Sequence, residues 1–262
     1  MVTPMSVPMH ADSVKKSVTP DEWALRLDLA AAFRMVALYG WDDLIFTHLS
    51  VRVPGPEHHF LINPYNLLFE EITASSLLKI GLDGMPVMAT PYIANPAGFT
   101  IHSAIHGSRE DANAVMHLHT TAGQAVSAMK FGLLPYAQTS MVVAHDLAYH
   151  DYEGIATELA ERARIVADLG NKHLMLLRNH GTLAVGATVA ECFLRIYFLE
   201  RACALQVQML AAGRGSVRGP SEGILRKVAE QSSADSVQKI ARHLAWPALL
   251  RKVDRLSPSY RD

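Results

Sequence analysis

The stretch His117-Leu118-His119 sets two imidazoles on alternate residues. Alternate side chains of a strand share one face, so both rings can reach a single ion. The preceding Ala114-Val115-Met116 reads as the apolar strand that would hold them rigid. Taken alone, the pair fits a strand end with two incidental histidines equally well. His180 changes the balance: it follows the apolar run Leu174–Leu177, within the turn-like Arg178-Asn179-His180-Gly181. Three imidazoles from two strand ends make a three-ligand site with an open position. That is the pattern of a reactive metal centre, whereas structural sites are usually closed by four protein ligands. His117, His119 and His180 are therefore the predicted ligands of one divalent metal. Zinc comes first on ligand preference, with manganese and iron as alternatives.

The chain has 13 histidines, and most take an ordinary reading. No role is assigned to His10, His58, His59, His173 or His243. His102 and His106 stand four apart on a predicted helix and project from one face. They either approach the metal as substrate contacts or mark a plain helix surface; His106 is read as surface, and His102 stays open. The run from His145 to Tyr152, flanked by Asp146 and Asp151, reads as a loop able to orient imidazoles or reach a neighbouring subunit.

These residues need elements to place them. Thr19-Pro20-Asp21-Glu22 has the form of a capping box, and an apolar face from Leu25 to Leu38 follows it to Gly40. Strand-like runs cover Ile45 to Val53, His59 to Ile62 and Leu77 to Ile80, separated by Pro, Gly and Asn turns. A helix is predicted over Ala97 to Ser108, a strand over Ala114 to Leu118, and a small-residue helix from near Thr120. Val142 to Ala144 reads as another strand, Ile155 to Leu169 as a helix, and Leu174 to Leu177 as a central strand. The longest helix, Thr188 to Ala212, is apolar on more than one face. Residues 1–18 read as a disordered lead and 19–213 as the main domain. A Gly-rich linker and two amphipathic helices make up 214–262, packing on the body or on another subunit.

With 262 residues, half of them hydrophobic, the chain can bury a sizeable core. A formal net charge of −1 gives no footprint for nucleic acid or a membrane surface. No window has the length of a signal core or a membrane span, so a soluble, cytoplasmic protein is expected. Cys192 and Cys203 are eleven residues apart on one helix, about 16 Å. A disulfide needs less than about 7 Å, so two reduced thiols are expected.

The sequence resembles the class II aldolase/adducin family. The matching stretches are Asn113-Ala114-Val115-Met116-His117-Leu118-His119-Thr120 and Leu176-Leu177-Arg178-Asn179-His180-Gly181. The resemblance runs from about Asp21 to Gly213. It implies an α/β fold, a three-layer αβα domain with a mainly antiparallel central sheet, here with a C-terminal helical extension. It also implies metal ligation by His117, His119 and His180, and a homo-oligomer, commonly a tetramer with sites at subunit interfaces. The segments Leu61 to Leu77, Ala97 to His102 and Ala128 to Pro135 look most like the adducin head and its bacterial relatives. Adducin heads tend to lack part of the triad that is complete here.

Departures from the sugar-phosphate aldolases bear on chemistry. Their catalytic glutamate falls at Gly98, which cannot carry a proton. Their phosphate-binding elements are altered at Asn95-Pro96-Ala97, at Asn63-Pro64-Tyr65-Asn66 and at Thr47-His48-Leu49-Ser50, so a sugar phosphate is not the expected substrate. The expected activity is a metal-dependent lyase, aldolase or decarboxylase in type, on a small non-phosphorylated oxo- or hydroxy-acid. Decarboxylation needs no initiating base, and His102, His48 and Tyr149, with His145, are the candidate proton donors. Glu70 and Glu71 read as a solvated edge. The alternatives are a non-catalytic adducin-head-like assembly module and a non-haem iron oxygenase.

Overall fold

The computed structural model describes residues 11–154 and 160–262. Within the stretch expected to be a disordered lead, Ala11–Ser17 forms a short helix, α1, with Val14 buried. Thr19 caps the next helix, α2 (Pro20–Leu38), by accepting the Glu22 N–H at 3.2 Å. The Glu22 carboxylate does not close the other half of the predicted capping box. It turns inward to Arg26 at 3.0 Å and Lys79 at 2.8 Å.

The chain continues through strands β1 (His48–Arg52), β2 (Phe60–Ile62) and β3 (Leu78–Ile80) to helix α3 (Pro96–Ser108). Strand β4 (Ala114–Leu118) leads into α4 (Thr121–Ser127) and α5 (Gln138–Ala144), followed by β5 (Leu147–His150) and α6 (Glu161–Leu169). Strands β6 (Leu174–Leu177) and β7 (Gly181–Gly186) precede the 22-residue α7 (Val189–Leu210). Beyond it lie α8 (Glu222–Gln231), α9 (Ala234–Ile240) and α10 (Trp246–Leu256), the last two joined by a π-helical turn at Ala241–Ala245.

Two expectations are corrected. Val142 to Ala144 is the end of helix α5, not a strand. The run read as a loop from His145 to Tyr152 contains strand β5. Of the helix predicted over Ile155 to Leu169, residues 155–159 lie outside the described residues, and Glu161–Leu169 is helical.

The strands form one seven-stranded sheet in the order β3-β2-β1-β4-β7-β6-β5. All neighbours are antiparallel except β5 and β6, giving the expected mainly antiparallel α/β architecture. Alternation along the strands divides the core into two layers. Leu49, Val51, Met116, Leu118 and Ala184 pack with Phe33 of α2 and Phe193, Ile196 and Leu199 of α7. Val115, Leu183 and Val185 face the other way, against Ile101 and Ile105 of α3 and Ile165 and Leu169 of α6. Burying each of these Val, Leu, Ile, Phe and Met side chains contributes about 1.5–3 kcal/mol. Strand β7 is buried at all six positions because helices cover both faces. The C-terminal helices join the first layer, where Ala241, Trp246, Val253 and Tyr260 are buried.

Candidate metal centre

His117 lies one residue from the end of β4 and His119 one residue beyond it, on the layer facing α3. His180 arrives from the β6–β7 hairpin, where its N–H donates to the Leu177 carbonyl at 3.0 Å. Asn179 completes that turn with a left-handed φ of 58°, which asparagine tolerates better than most residues. Gly181 is required next, because a Cβ there would collide with the Leu118 carbonyl of β4. This close approach of β7 to β4 is what brings the three rings together.

One ring nitrogen from each of His117, His119 and His180 lies within 4.8 Å of the others. His117 Nδ1 is 2.9 Å from the Thr182 carbonyl, which can only accept, so Nδ1 carries the proton. His119 Nδ1 likewise faces the Asp43 carboxylate at 3.1 Å. Both rings, when neutral, therefore turn their Nε2 lone pairs inward, and those atoms stand 2.9 Å apart. Two lone pairs at that separation repel unless a cation lies with them, so the donor set fits a soft-to-borderline divalent metal. A partner on the outer nitrogen is the usual way a ligating histidine is oriented. Burial and the neighbouring imidazoles hold His117 well below its ordinary pKa and bring His180 to about 4. Protons therefore do not compete for the His117 and His180 nitrogens near neutrality.

The structure places His48 directly across the sheet from His117. Its ring, 5.2 Å from that of His117, opens a line of buried groups running away from the site. His48 Nδ1 meets His102 Nε2 at 2.9 Å. Ser50 Oγ then bridges His102 Nδ1 and His106 Nε2, the latter at 2.7 Å. Arg52 closes the far end by donating to the His106 carbonyl and to the Arg109 carbonyl at 3.0 Å. His102 and His106 are buried, which corrects the helix-surface reading of His106 and rules out that option for His102, which the sequence left open. Burial, then the neighbouring charges, keeps His48 and His102 well below the ordinary histidine range; His106 falls to about 3. All three rings are neutral, and His48 alone of them lines the cavity over the metal site.

The missing side chain at Gly98 is explained by the same ring. A Cβ on Gly98 would lie 2.6 Å from His48 Cδ2, so His48 fills the space that a side chain there would need.

Tyr149 is not brought to the site. Its hydroxyl accepts the Leu133 N–H at 3.1 Å, and its ring stacks under the Arg178 guanidinium at 4.3 Å. His145 is exposed, away from this cavity. Two supporting groups were not foreseen. Asp43 sits in an unremarkable Asp-Asp pair, with no signal in its spacing. Glu200 lies behind the site on α7, 2% exposed, accepting hydrogen bonds from the Thr120 and Thr182 hydroxyls. An acid in the middle of a helix apolar on more than one face was the available clue. Burial, only partly opposed by the two threonines, pushes its carboxyl up to about 7.

The cavity over the three imidazoles holds about 360 Å³. Phe46, Tyr65, Tyr152, Thr47, Asn95 and Ile101 share its walls with the histidines. Among the described residues no lysine or arginine lines it.

The family profile described as Class II Aldolase and Adducin N-terminal domain matches residues 27–207. A provisionally named aldolase class 2 protein of Caulobacter vibrioides is 58% identical over 257 residues, 95% of this chain and 96% of that one. Mouse alpha-adducin is 44% identical over 218 residues; these are 82% of this chain but 29% of the adducin. Among solved structures, an aldolase II superfamily protein from Pseudomonas syringae superposes with TM-score 0.89 at 47% identity, covering 95% of this chain and 99% of that one. An L-fuculose 1-phosphate aldolase from Glaciozyma antarctica gives TM-score 0.79 at 28% identity, covering 99% and 97%.

Proposed function

Starting from the fact that this chain belongs to the class II aldolase and adducin N-terminal domain family, we propose that it is a metal-dependent carbon–carbon lyase. Its substrate is a small, non-phosphorylated oxo- or hydroxy-acid, cleaved in aldolase or decarboxylase fashion. The observation that carries this reading is the convergence of His117, His119 and His180, with two outer nitrogens already committed to Thr182 and Asp43. Assembly alone gives no reason to maintain an inward-facing set of three imidazoles.

When bound, a divalent cation, zinc by ligand preference, supplies Lewis acidity to a substrate carbonyl and its neighbouring oxygen. His117, His119 and His180 hold it, while Asp43 and the Thr182 carbonyl fix the rings. His48 holds or releases a proton at Nε2, since its Nδ1 is taken by His102. Gly98 carries no carboxylate to take that part, and His48 fills its space. A cavity wall without lysine or arginine among the described residues supports an unphosphorylated substrate. A homo-oligomer, tetrameric by family likeness, belongs to the same proposal; exposed Ile240, Leu244 and Leu256 support self-association.

The second reading is an assembly module, favoured by the 44% identity to alpha-adducin. The test is product analysis with metal-replete protein on a panel of 2-oxo and 2-hydroxy acids and sugar phosphates. Carbon dioxide or a carbonyl product from an unphosphorylated acid, lost in His119→Ala, supports the lyase. No turnover of any acid by a metal-replete, stable oligomer supports assembly. Preferential cleavage of a sugar phosphate contradicts the substrate class.

A further inference from the structure

Thr47 is held in a conformation that its own side chain resists. Its φ is +67°, in the left-handed region, where a β-branched residue is a genuine outlier. The residue is 1% exposed, and its Oγ1 has no hydrogen-bond partner among the described residues. Both features oppose folding. Strain and an unpaired buried donor at one residue are the usual marks of a place where a ligand completes the structure. Thr47 lines the cavity that contains His117, His119 and His180, next to His48.

The remaining walls say what that ligand is made of. Phe46 and Tyr65 stand edge to face with centroids 6.4 Å apart, and the Tyr152 ring lies 6.1 Å from that of His180. Phe46 and Tyr152 are 43% and 52% exposed, unusual for large rings that gain by being covered. Ile101 adds an apolar floor, and no described lysine or arginine offers a partner to a second anionic group. A volume of about 360 Å³ accommodates a one-ring molecule.

We propose that the site takes a 2-oxo or 2-hydroxy acid with an uncharged aromatic body, and that Thr47 is its substrate-contacting hydroxyl. The acid end chelates the metal, the Thr47 hydroxyl donates to a ligand oxygen, and Phe46, Tyr65 and Tyr152 cover the ring. This rests on the metal-site reading above and narrows its substrate.

The test is calorimetric titration of zinc-loaded protein with phenylpyruvate, pyruvate and 2-phosphoglycolate, with zinc content measured on every sample. Phenylpyruvate is expected to bind at least about tenfold tighter than either of the others. Thr47→Val should weaken it about tenfold, the usual effect of one missing hydrogen bond, and Thr47→Ser should retain most of the affinity. Thr47→Gly should raise Tm by relieving the left-handed strain while weakening phenylpyruvate, with zinc content unchanged in all three variants. Equal affinity for phenylpyruvate and pyruvate, tighter phosphoglycolate, or unchanged phenylpyruvate affinity in both Thr47→Val and Thr47→Gly overturns the inference while the metal site stands. Failure of wild-type protein to load zinc overturns the metal reading itself.

Discussion

Asp43 is the group that makes His119 a directed ligand. It fixes which nitrogen of His119 carries the proton, through a contact 3.1 Å long. Asp43→Ala is expected to lower zinc affinity about 10–100-fold with the fold intact, the usual effect of removing such a partner; a chelator-competition titration reads it directly. Gly98 is the other residue whose identity is forced, since any Cβ meets the His48 ring. Gly98→Ala should cost about 1–3 kcal/mol in urea unfolding and disturb the His48–His102 pair, visible in imidazole ¹⁵N spectra. The three converging histidines were legible in the sequence because strand alternation and a turn after an apolar run are local signals. His48 and His102 were legible only as candidates, and Tyr149 was misplaced. Its pairing with Leu133 and Arg178 depends on tertiary packing that spacing does not encode.

Between elements, Glu200 is the tie that spacing could not reveal. From α7 it accepts from Thr120 just after β4 and from Thr182 in β7, so it braces both strands behind the site. Its carboxyl has an ordinary pKa of 4.5 and rises to about 7 in the folded chain. Between those values the folded state binds more protons than the unfolded one. The contribution to stability is therefore fully present below about 4.5 and is lost as pH rises through about 7, some ~3 kcal/mol in all. Glu200→Gln should remove that part of the dependence. In metal-free thermal unfolding, its Tm relative to wild type should rise between pH 5 and pH 8; a constant difference would contradict a titrating Glu200. Most elements were legible from periodicity and turn residues. Val142 to Ala144 was not, because a three-residue apolar run suits a helix end as well as a strand. Strand β5 hid among polar residues: Tyr149 and His150 are placed by pairing with β6, not by their own pattern.

Over the whole molecule, the C-terminal helices are part of the body rather than an appendage. The Trp246 indole donates to Asp28 of α2 at 3.0 Å, and the Tyr260 carbonyl accepts from Ala74 at 2.9 Å. Trp246→Ala should cost about 3–5 kcal/mol in urea unfolding, since it opens a cavity and leaves Asp28 without its donor. The amphipathic pattern announced helices there; which surface they would cover depended on contacts more than 200 residues apart. The proposed chemistry as a whole depends on metal held by the converging imidazoles. The decisive measurement is elemental analysis of protein purified without an affinity tag, for wild type, His117→Ala and His119→Ala, each checked for fold by circular dichroism. About one equivalent of zinc, manganese or iron per wild-type chain, lost in both folded variants, is the predicted result. Full metal occupancy in both variants, or none in wild type even after reconstitution, would contradict it.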